Sequence, residues 1–260
     1  MRTARIAWAG AIHAVTESQG RIRLADGRLI DESEVVWLPP IEAGTVFAVG
    51  LNYADHAQEL AFKPQQEPLV FLKSAHALAG HRALTPRPAG VKFMHYECEL
   101  AVVIARTARN VSRAAALDYV AGYTVANDYA IRDYLENYYR PNLRVKSRDS
   151  STILGPWLVD AADVPEPMAL ELTTRVNGRV TQRGNTAKMI FDVGHLIEYL
   201  SAFLTLGAGD VILTGTPEGV ANVDPGDEVV TEIAGIGSLT SYIVEEPQQI
   251  AAAGETAWAS

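Results

Sequence analysis

Glu97-Cys98-Glu99 opens directly onto Leu100-Ala101-Val102-Val103-Ile104, and this junction limits the fold more than any other stretch. A run that is apolar at successive positions suits a strand covered on both faces, so the chain must build at least two layers around it. In a strand, side chains two apart share a face, with Cα atoms about 6.6 Å apart. Glu97 and Glu99 therefore point together at the rim of a core, and Cys98 points the other way. Carboxylates placed so repel each other unless a cation lies between them. Asp128 follows a second apolar run, Tyr119 to Ala126, and supplies a third oxygen donor. An oxygen-only set without His or Cys suits Mg²⁺, Mn²⁺ or Ca²⁺ rather than zinc. Taken alone, such a pair is more often a solvated strand face, and Asn127-Asp128 more often a turn or cap. The rest of the chain decides between these readings.

A chain of 260 residues, 48% hydrophobic and 20% charged, has the composition of a globular protein with a large core. Its net charge of −9 argues against nucleic acid and anionic membrane surfaces as partners. A single cysteine, Cys98, forms no intrachain disulfide, which favours the cytoplasm; it reads as a small buried hydrophobe. The N-terminal stretch is broken by His13 and Glu17 and lacks the pattern of a signal peptide. No apolar run approaches the ~20 residues that span a bilayer.

Residues 1–40 read as a small β domain: alternating pieces (Arg2 to Trp8, His13 to Thr16, Arg21 to Arg23) separated by Gly10, Gly20 and Asp26-Gly27, then Pro39-Pro40. Residues 41–247 form the main domain and 248–260 a loose tail. Strands are expected over Thr45 to Leu51, Pro68 to Lys73, Leu100 to Ala105, Ala169 to Val176, Val211 to Thr214, Glu228 to Ile233 and Leu239 to Val244, with a hairpin at Asn177-Gly178. Helices are expected from Ser112 to Tyr119, from Ala130 to Tyr139, and from Asp192 to Leu204. The last carries Val193, Leu196, Ile197, Leu200 and Leu204 on one stripe. Strands dominate without βαβ alternation, so the class is sheet-rich α+β.

Three further groups carry chemistry. His56 and Glu59 are three apart, so one helical turn would place them on one face, and a carboxylate that polarises an imidazole makes a general acid/base pair; taken alone, such residues are more often an exposed His and Glu in a loop. Arg132, Arg144, Lys146 and Arg148 form a cationic stretch suited to an anionic substrate, although Asp133, Glu136 and Asp149 offer them ordinary partners. Leu213-Thr-Gly-Thr-Pro-Glu-Gly219 is a Gly-rich turn able to offer N–H groups and the Thr216 hydroxyl to a carboxylate. It lacks the Gly-Lys-Ser/Thr of a nucleotide-binding loop.

In order, Gly50-Leu-Asn-Tyr-Ala-Asp-His56, Tyr96-Glu-Cys-Glu-Leu100, Gly122-Tyr-Thr-Val-Ala-Asn-Asp128, Lys146-Ser-Arg-Asp149, Gly155-Pro-Trp157 and Thr214-Gly-Thr-Pro217 resemble the fumarylacetoacetate hydrolase family. The likeness runs from about Val46 to Val244. It is greatest to the isomerase/decarboxylase branch of homoprotocatechuate catabolism, in particular the C-terminal half of its tandem form. Phe62-Lys-Pro64, Glu67-Pro-Leu-Val-Phe-Leu-Lys73 and the stretch from Asp128 to Asp149 carry that closer likeness.

The resemblance implies stacked β-sheets wrapped into a roll and a homodimer, or a partner resembling the other half of the tandem form. It implies Glu97, Glu99 and Asp128 as ligands of Mg²⁺ (or Mn²⁺ or Ca²⁺), with His56 and Glu59 as the acid/base pair on a lid segment. Lys146 and Arg132 would stabilise developing negative charge, and Tyr139, Thr216 and Lys73 would contact a 2-oxo acid. The expected activity is isomerisation and decarboxylation of 2-oxo and 2-hydroxydienoic di- and tricarboxylic acids of 4-hydroxyphenylacetate breakdown. The alternatives are acylpyruvate or fumarylpyruvate hydrolysis, oxaloacetate decarboxylation or tautomerisation, and a non-catalytic protein with a structural Ca²⁺ site.

Overall fold

The structure, a computed structural model, describes residues 1–55, 66–135 and 143–247. The N-terminal segment is a meander of β1 (Arg2–Trp8), β2 (Ala11–Ser18), β3 (Arg21–Arg23), β4 (Leu29–Ile30) and β5 (Val36–Leu38). Ala4, Ile6, Val15, Ile22, Leu24, Ile30 and Trp37 form its own apolar cluster. The remaining strands are β6 (Val46–Gly50), β7 (Leu69–Lys73), β8 (Leu78–Ala79), β9 (Ala83–Arg87), β10 (Met94–His95), β11 (Cys98–Ile104), β12 (Val120–Asp128), β13 (Ala130–Ile131), β14 (Thr152–Asp160), β15 (Glu171–Val176), β16 (Arg179–Asn185), β17 (Val211–Leu213), β18 (Glu228–Ile233) and β19 (Gly237–Glu245). Between them lie the single turn α1 (Leu143–Lys146) and the helix α2 (Val193–Phe203).

A large sheet runs in the order β4-β3-β2-β1-β14-β12-β11-β17-β6-β7, with β5 on β1 and β8 on β14. The pairing of Arg2 with Val159 and Thr3 with Leu158 continues it from the N-terminal meander into the rest of the chain. A second sheet, β16-β15-β18-β19-β9, packs on one face of the first. Strand alternation sorts the core: Cys98, Leu100, Val102 and Ile104 of β11 join Leu172, Val229, Ile233, Leu239 and Ile243 between the sheets. Ala101 and Val103 face the other way, into a cluster with Val46, Ala48, Ala126, Leu154, Val211 and Leu213. The run Leu100 to Ile104 is thus covered on both faces, as its composition requires.

The large sheet curls. From β12 to β7 there are four strand steps, roughly 19 Å if the sheet were flat. Yet the Lys73 ammonium on β7 lies 2.5 Å from a carboxylate oxygen of Asp128 on β12. Immediately after β7 the chain turns through Ala75–Ala77, and β8 then pairs in parallel with β14, the other neighbour of β12. The edge is thereby brought round to the middle, making a roll whose interior is the Ala101/Val103 face.

Most local expectations hold. Asn177 and Gly178, at φ 48° and 79°, turn β15 into β16 as an Asn-Gly pair does. Asp192 caps α2 by accepting from the His195 N–H at 2.7 Å, and Val193, Leu196, Ile197 and Leu200 are buried. Ser112 precedes a helical stretch of the tighter three-residue type, Arg113–Tyr119. The expected helix from Ala130 is not formed over its described part. Ala130–Ile131 pairs with β10 instead, the Arg132 N–H donates to the Phe93 carbonyl at 2.9 Å, and only a tight three-residue turn, Arg132–Tyr134, follows, with the Leu135 N–H on the Arg132 carbonyl at 3.0 Å. Tertiary pairing overrides a weak local preference there.

Candidate metal centre

The alternation that fills the roll also equips one end of it. Glu99 lies on the same face as Ala101 and Val103, Asp128 with Ala126, Thr152 with Leu154, and Lys73 with Phe71. Glu97 stands one step ahead of β11, where its N–H donates to the Asn127 side-chain oxygen at 3.1 Å and its carbonyl accepts from the Asp128 N–H at 2.9 Å. These bonds complete the pairing of β11 with β12 and turn the Glu97 carboxylate into the roll. One oxygen from each of Glu97, Glu99 and Asp128 lies within 4.8 Å of the others, and all three residues are buried.

Three cations meet two of these anions, Glu97 and Asp128. Lys146, at the end of α1, donates to Asp128 Oδ2 at 3.0 Å and also to Glu97. Arg132 donates to Glu97 Oε1 at 2.7 Å, and its Nε reaches His95 Nδ1 at 3.4 Å. Lys73 donates to Asp128 Oδ1 and to the Lys146 carbonyl, and its side chain is 0% exposed. Thr152, directly across from Asp128 in the ladder, donates to Oδ1 at 3.0 Å. Burial pushes the Asp128 carboxyl up, but Lys146 and Lys73 outweigh it and hold the group below its ordinary range. Burial likewise opposes the charge on Lys146, and Asp128 and Glu97 outweigh it upward. For Lys73 burial wins and the ammonium is held below its ordinary range.

Glu99 is the exception. Its Oε2 accepts from the Gly215 N–H at 2.6 Å, but among the described residues no ammonium or guanidinium forms a salt bridge with it. Burial, then Asp128 and Glu97, push its carboxyl well above the ordinary range. A buried carboxylate beside two others, held by one amide, is the arrangement that a hard divalent cation would offset. The donor set is all oxygen, so the residues present fit Mg²⁺ or Mn²⁺.

The turn carrying Gly215 and Thr216 is tightly constrained. Gly215 has φ 88°, and a Cβ there would lie 3.0 Å from both the Val49 carbonyl and Asn52 Cβ. Asn52 is fully buried and ties this region together: its amide donates to the Phe191 and Thr214 carbonyls, and its oxygen accepts from the Phe191 N–H. Thr216 is buried, one residue past the amide that holds Glu99.

Of the residues singled out in the sequence, Glu97, Glu99, Asp128, Lys146, Arg132 and Lys73 converge on one cluster. His56, Glu59 and Tyr139 lie outside the described residues. Arg144 and Arg148 are turned to other partners: the first guanidinium lies 4.1 Å over the Tyr134 ring and the second pairs with Glu246. Sequence reasoning missed the parts played by Thr152, Asn52 and His95. Thr152 becomes visible once β14 is recognised as the neighbour of β12, and Asn52 lies inside the Gly50–His56 motif; for His95 no local signal exists.

The fumarylacetoacetate (FAA) hydrolase C-terminal family matches residues 45–244. A 4-hydroxyphenylacetate degradation bifunctional isomerase/decarboxylase of Salmonella dublin is 61% identical over 208 residues, 80% of this chain and 48% of that protein. The chain spans about half the length of this relative and of two bifunctional isomerase/decarboxylases of Escherichia coli. A 5-carboxymethyl-2-hydroxymuconate delta-isomerase from Mycobacterium smegmatis superposes with a TM-score of 0.84 at 39% identity, over 95% of this chain and all (100%) of its own. A fumarylpyruvate hydrolase from Pseudomonas aeruginosa, solved in complex with Mn²⁺ and pyruvate, gives 0.73 at 33% identity, over 80% and 91%.

Proposed function

The chain belongs to the fumarylacetoacetate hydrolase family, and from that premise we propose that it is a divalent-metal-dependent isomerase/decarboxylase of 2-oxo and 2-hydroxydienoic di- and tricarboxylic acids. The buried cluster of Glu97, Glu99 and Asp128 with Lys146 and Arg132 beside it carries this reading. Those three carboxylates would hold Mg²⁺ or Mn²⁺, which when bound supplies Lewis acidity to the 2-oxo acid head.

The chain's own groups do the rest. Lys146 holds a fixed ammonium against Glu97 and Asp128, beside the place where negative charge would develop on the 2-oxo oxygen as the C–CO₂ bond breaks and its electron pair delocalises. A preorganised donor of this kind contributes roughly 3–4 kcal/mol to the barrier reduction. Arg132, half-buried and anchored on Glu97, adds a second positive group on the same side. Thr216 offers a hydroxyl to the substrate's carboxylate. His56, polarised by Glu59, carries the proton that returns to carbon when the dienol becomes the 2-oxo-3-ene acid. Loss of CO₂ and isomerisation then share one electron-rich species and one site. Tyr139 would complete the substrate contacts.

The chain would work as a homodimer, or paired with a partner resembling the other half of its longer relatives. No helix among the described residues is long and apolar enough to cross a membrane.

The test is turnover of the purified chain on a panel of 2-oxo and 2,4-dioxo acids, before and after chelation. Turnover of a 2-oxo-ene tricarboxylate that stops on chelation and returns with Mg²⁺ or Mn²⁺ supports the reading. Turnover that persists without metal, or is confined to C–C hydrolysis of 2,4-dioxo acids, contradicts it. The second outcome would select the hydrolase reading, which the likeness to the fumarylpyruvate hydrolase favours. Replacing His56 by Ala should remove isomerase turnover and leave metal affinity intact.

A further inference from the structure

Behind Thr216 a line of buried polar side chains runs into the space between the sheets, and its hydrogen-bond directions can be assigned. Gln182 on β16 is 2% exposed and bonds through both ends of its amide. One end lies 2.8 Å from the Pro217 carbonyl. A peptide carbonyl only accepts, so this end is the –NH₂, and the assignment leaves no alternative flip. The same –NH₂ lies 2.9 Å from Thr216 Oγ1, which is therefore the acceptor of that bond. The amide oxygen at the other end accepts from Thr174 Oγ1 at 3.0 Å. Thr174 is fully buried on β15.

Thr216 thus receives a proton from behind and retains its own to give. Among the described residues no oxygen takes that proton. The backbone fixes the spacing as well. A Cβ on Gly184 would lie 2.4 Å from Pro217 Cγ, so the turn rests on β16 at a distance only glycine permits. Gly219, at φ 95°, would bring a Cβ to 3.1 Å from the Thr181 carbonyl. Gln182 therefore cannot move away from Thr216 without the turn moving too.

We infer that Gln182 is a positioning residue that fixes the direction of the Thr216 hydroxyl, reserving its proton for the carboxylate of a bound 2-oxo acid. The inference rests on the reading of Thr216 as a substrate contact. It assigns a task to a residue that touches none of the three carboxylates, and it makes Thr174 the buried anchor of that task.

Pyruvate, the smallest 2-oxo acid, is the probe, titrated calorimetrically into Mg²⁺-saturated full chain. Thr216→Val should weaken pyruvate about tenfold or more, as expected for loss of a hydrogen bond to a charged group. Gln182→Met, which keeps the volume and removes both ends of the amide, should weaken it severalfold with Mg²⁺ affinity unchanged. The double variant should be no weaker than Thr216→Val alone, because Gln182 acts only through that hydroxyl. Thr216→Ser should retain most of the affinity. If Gln182→Met folds poorly, Thr174→Val tests the same anchor with little change in volume and should still weaken pyruvate. Additive losses in the double variant, or wild-type affinity in both Gln182→Met and Thr174→Val while Thr216→Val is weakened, overturn the inference. Wild-type affinity in Thr216→Val overturns the substrate-contact reading itself and the inference with it.

Discussion

Lys73→Met separates a group that holds the site together from one that touches substrate. The Lys73 side chain is wholly enclosed, with its ammonium 2.5 Å from Asp128 Oδ1 and bonded also to the Lys146 carbonyl. Methionine keeps the stem and removes the charge. Deleting one partner of a buried ion pair costs about 3–5 kcal/mol, since the other charge stays behind. Asp128 keeps Lys146 and Thr152, each at 3.0 Å, which places the expected loss near the low end, about 3 kcal/mol. For a chain of this size that corresponds to a fall in Tm of about 6–12 °C. Thermal unfolding should show this drop in chelator, and excess Mg²⁺ should recover part of it by offsetting the buried charge on Asp128 that Lys73 no longer balances. A Tm within about 2 °C of wild type in chelator, together with a raised KM, would refute the reasoning and make Lys73 a substrate contact.

Asp210 accepts from the Thr45 and Gly207 N–H groups, each at 2.7 Å, so Asp210→Ala should leave two partly buried donors without their acceptor and cost about 1–3 kcal/mol in denaturant unfolding. Gly184→Ala should lower both Tm and pyruvate affinity, because its Cβ would overlap Pro217 and displace the turn that carries Thr216. His81 accepts from the Thr240 N–H at 3.0 Å and faces Glu32 and Arg82; burial, opposed by Glu32, depresses its pKa below the unfolded value. The unfolded chain therefore binds the extra proton first. The contribution is present above the unfolded pKa of about 6.5 and is lost as pH falls toward the folded value. A pH series of Tm should show this slope, and His81→Asn should flatten it.

Much of the fold was legible because it rests on short-range patterns. The continuous apolar run after Glu99 required a two-sided strand, Asn177-Gly178 specified a hairpin, and the stripe from Val193 to Leu200 specified a helix. The carboxylate set was legible because strand alternation places Glu99 and Cys98 on opposite faces whatever surrounds them. What was not legible depends on which strands become neighbours. Lys73 reaches Asp128 only because the sheet curls, and Gln182 reaches Thr216 only because Gly184 admits Pro217. The Ala130 segment was misread for the same reason, since Ala130–Ile131 pairs with β10 from a distant part of the chain. Arg144 and Arg148 looked like substrate cations from their spacing, yet Tyr134 takes the first and Glu246, distant in sequence, the second.

The central claim is that Glu97, Glu99 and Asp128 together hold one divalent cation. Calorimetric titration of Mn²⁺ into chelator-treated protein tests it most directly, with Glu99→Gln and Asp128→Asn as companions. One saturable ion per chain, lost in both variants, is the predicted result. No saturable binding, or equal binding by wild type and both variants, would contradict it.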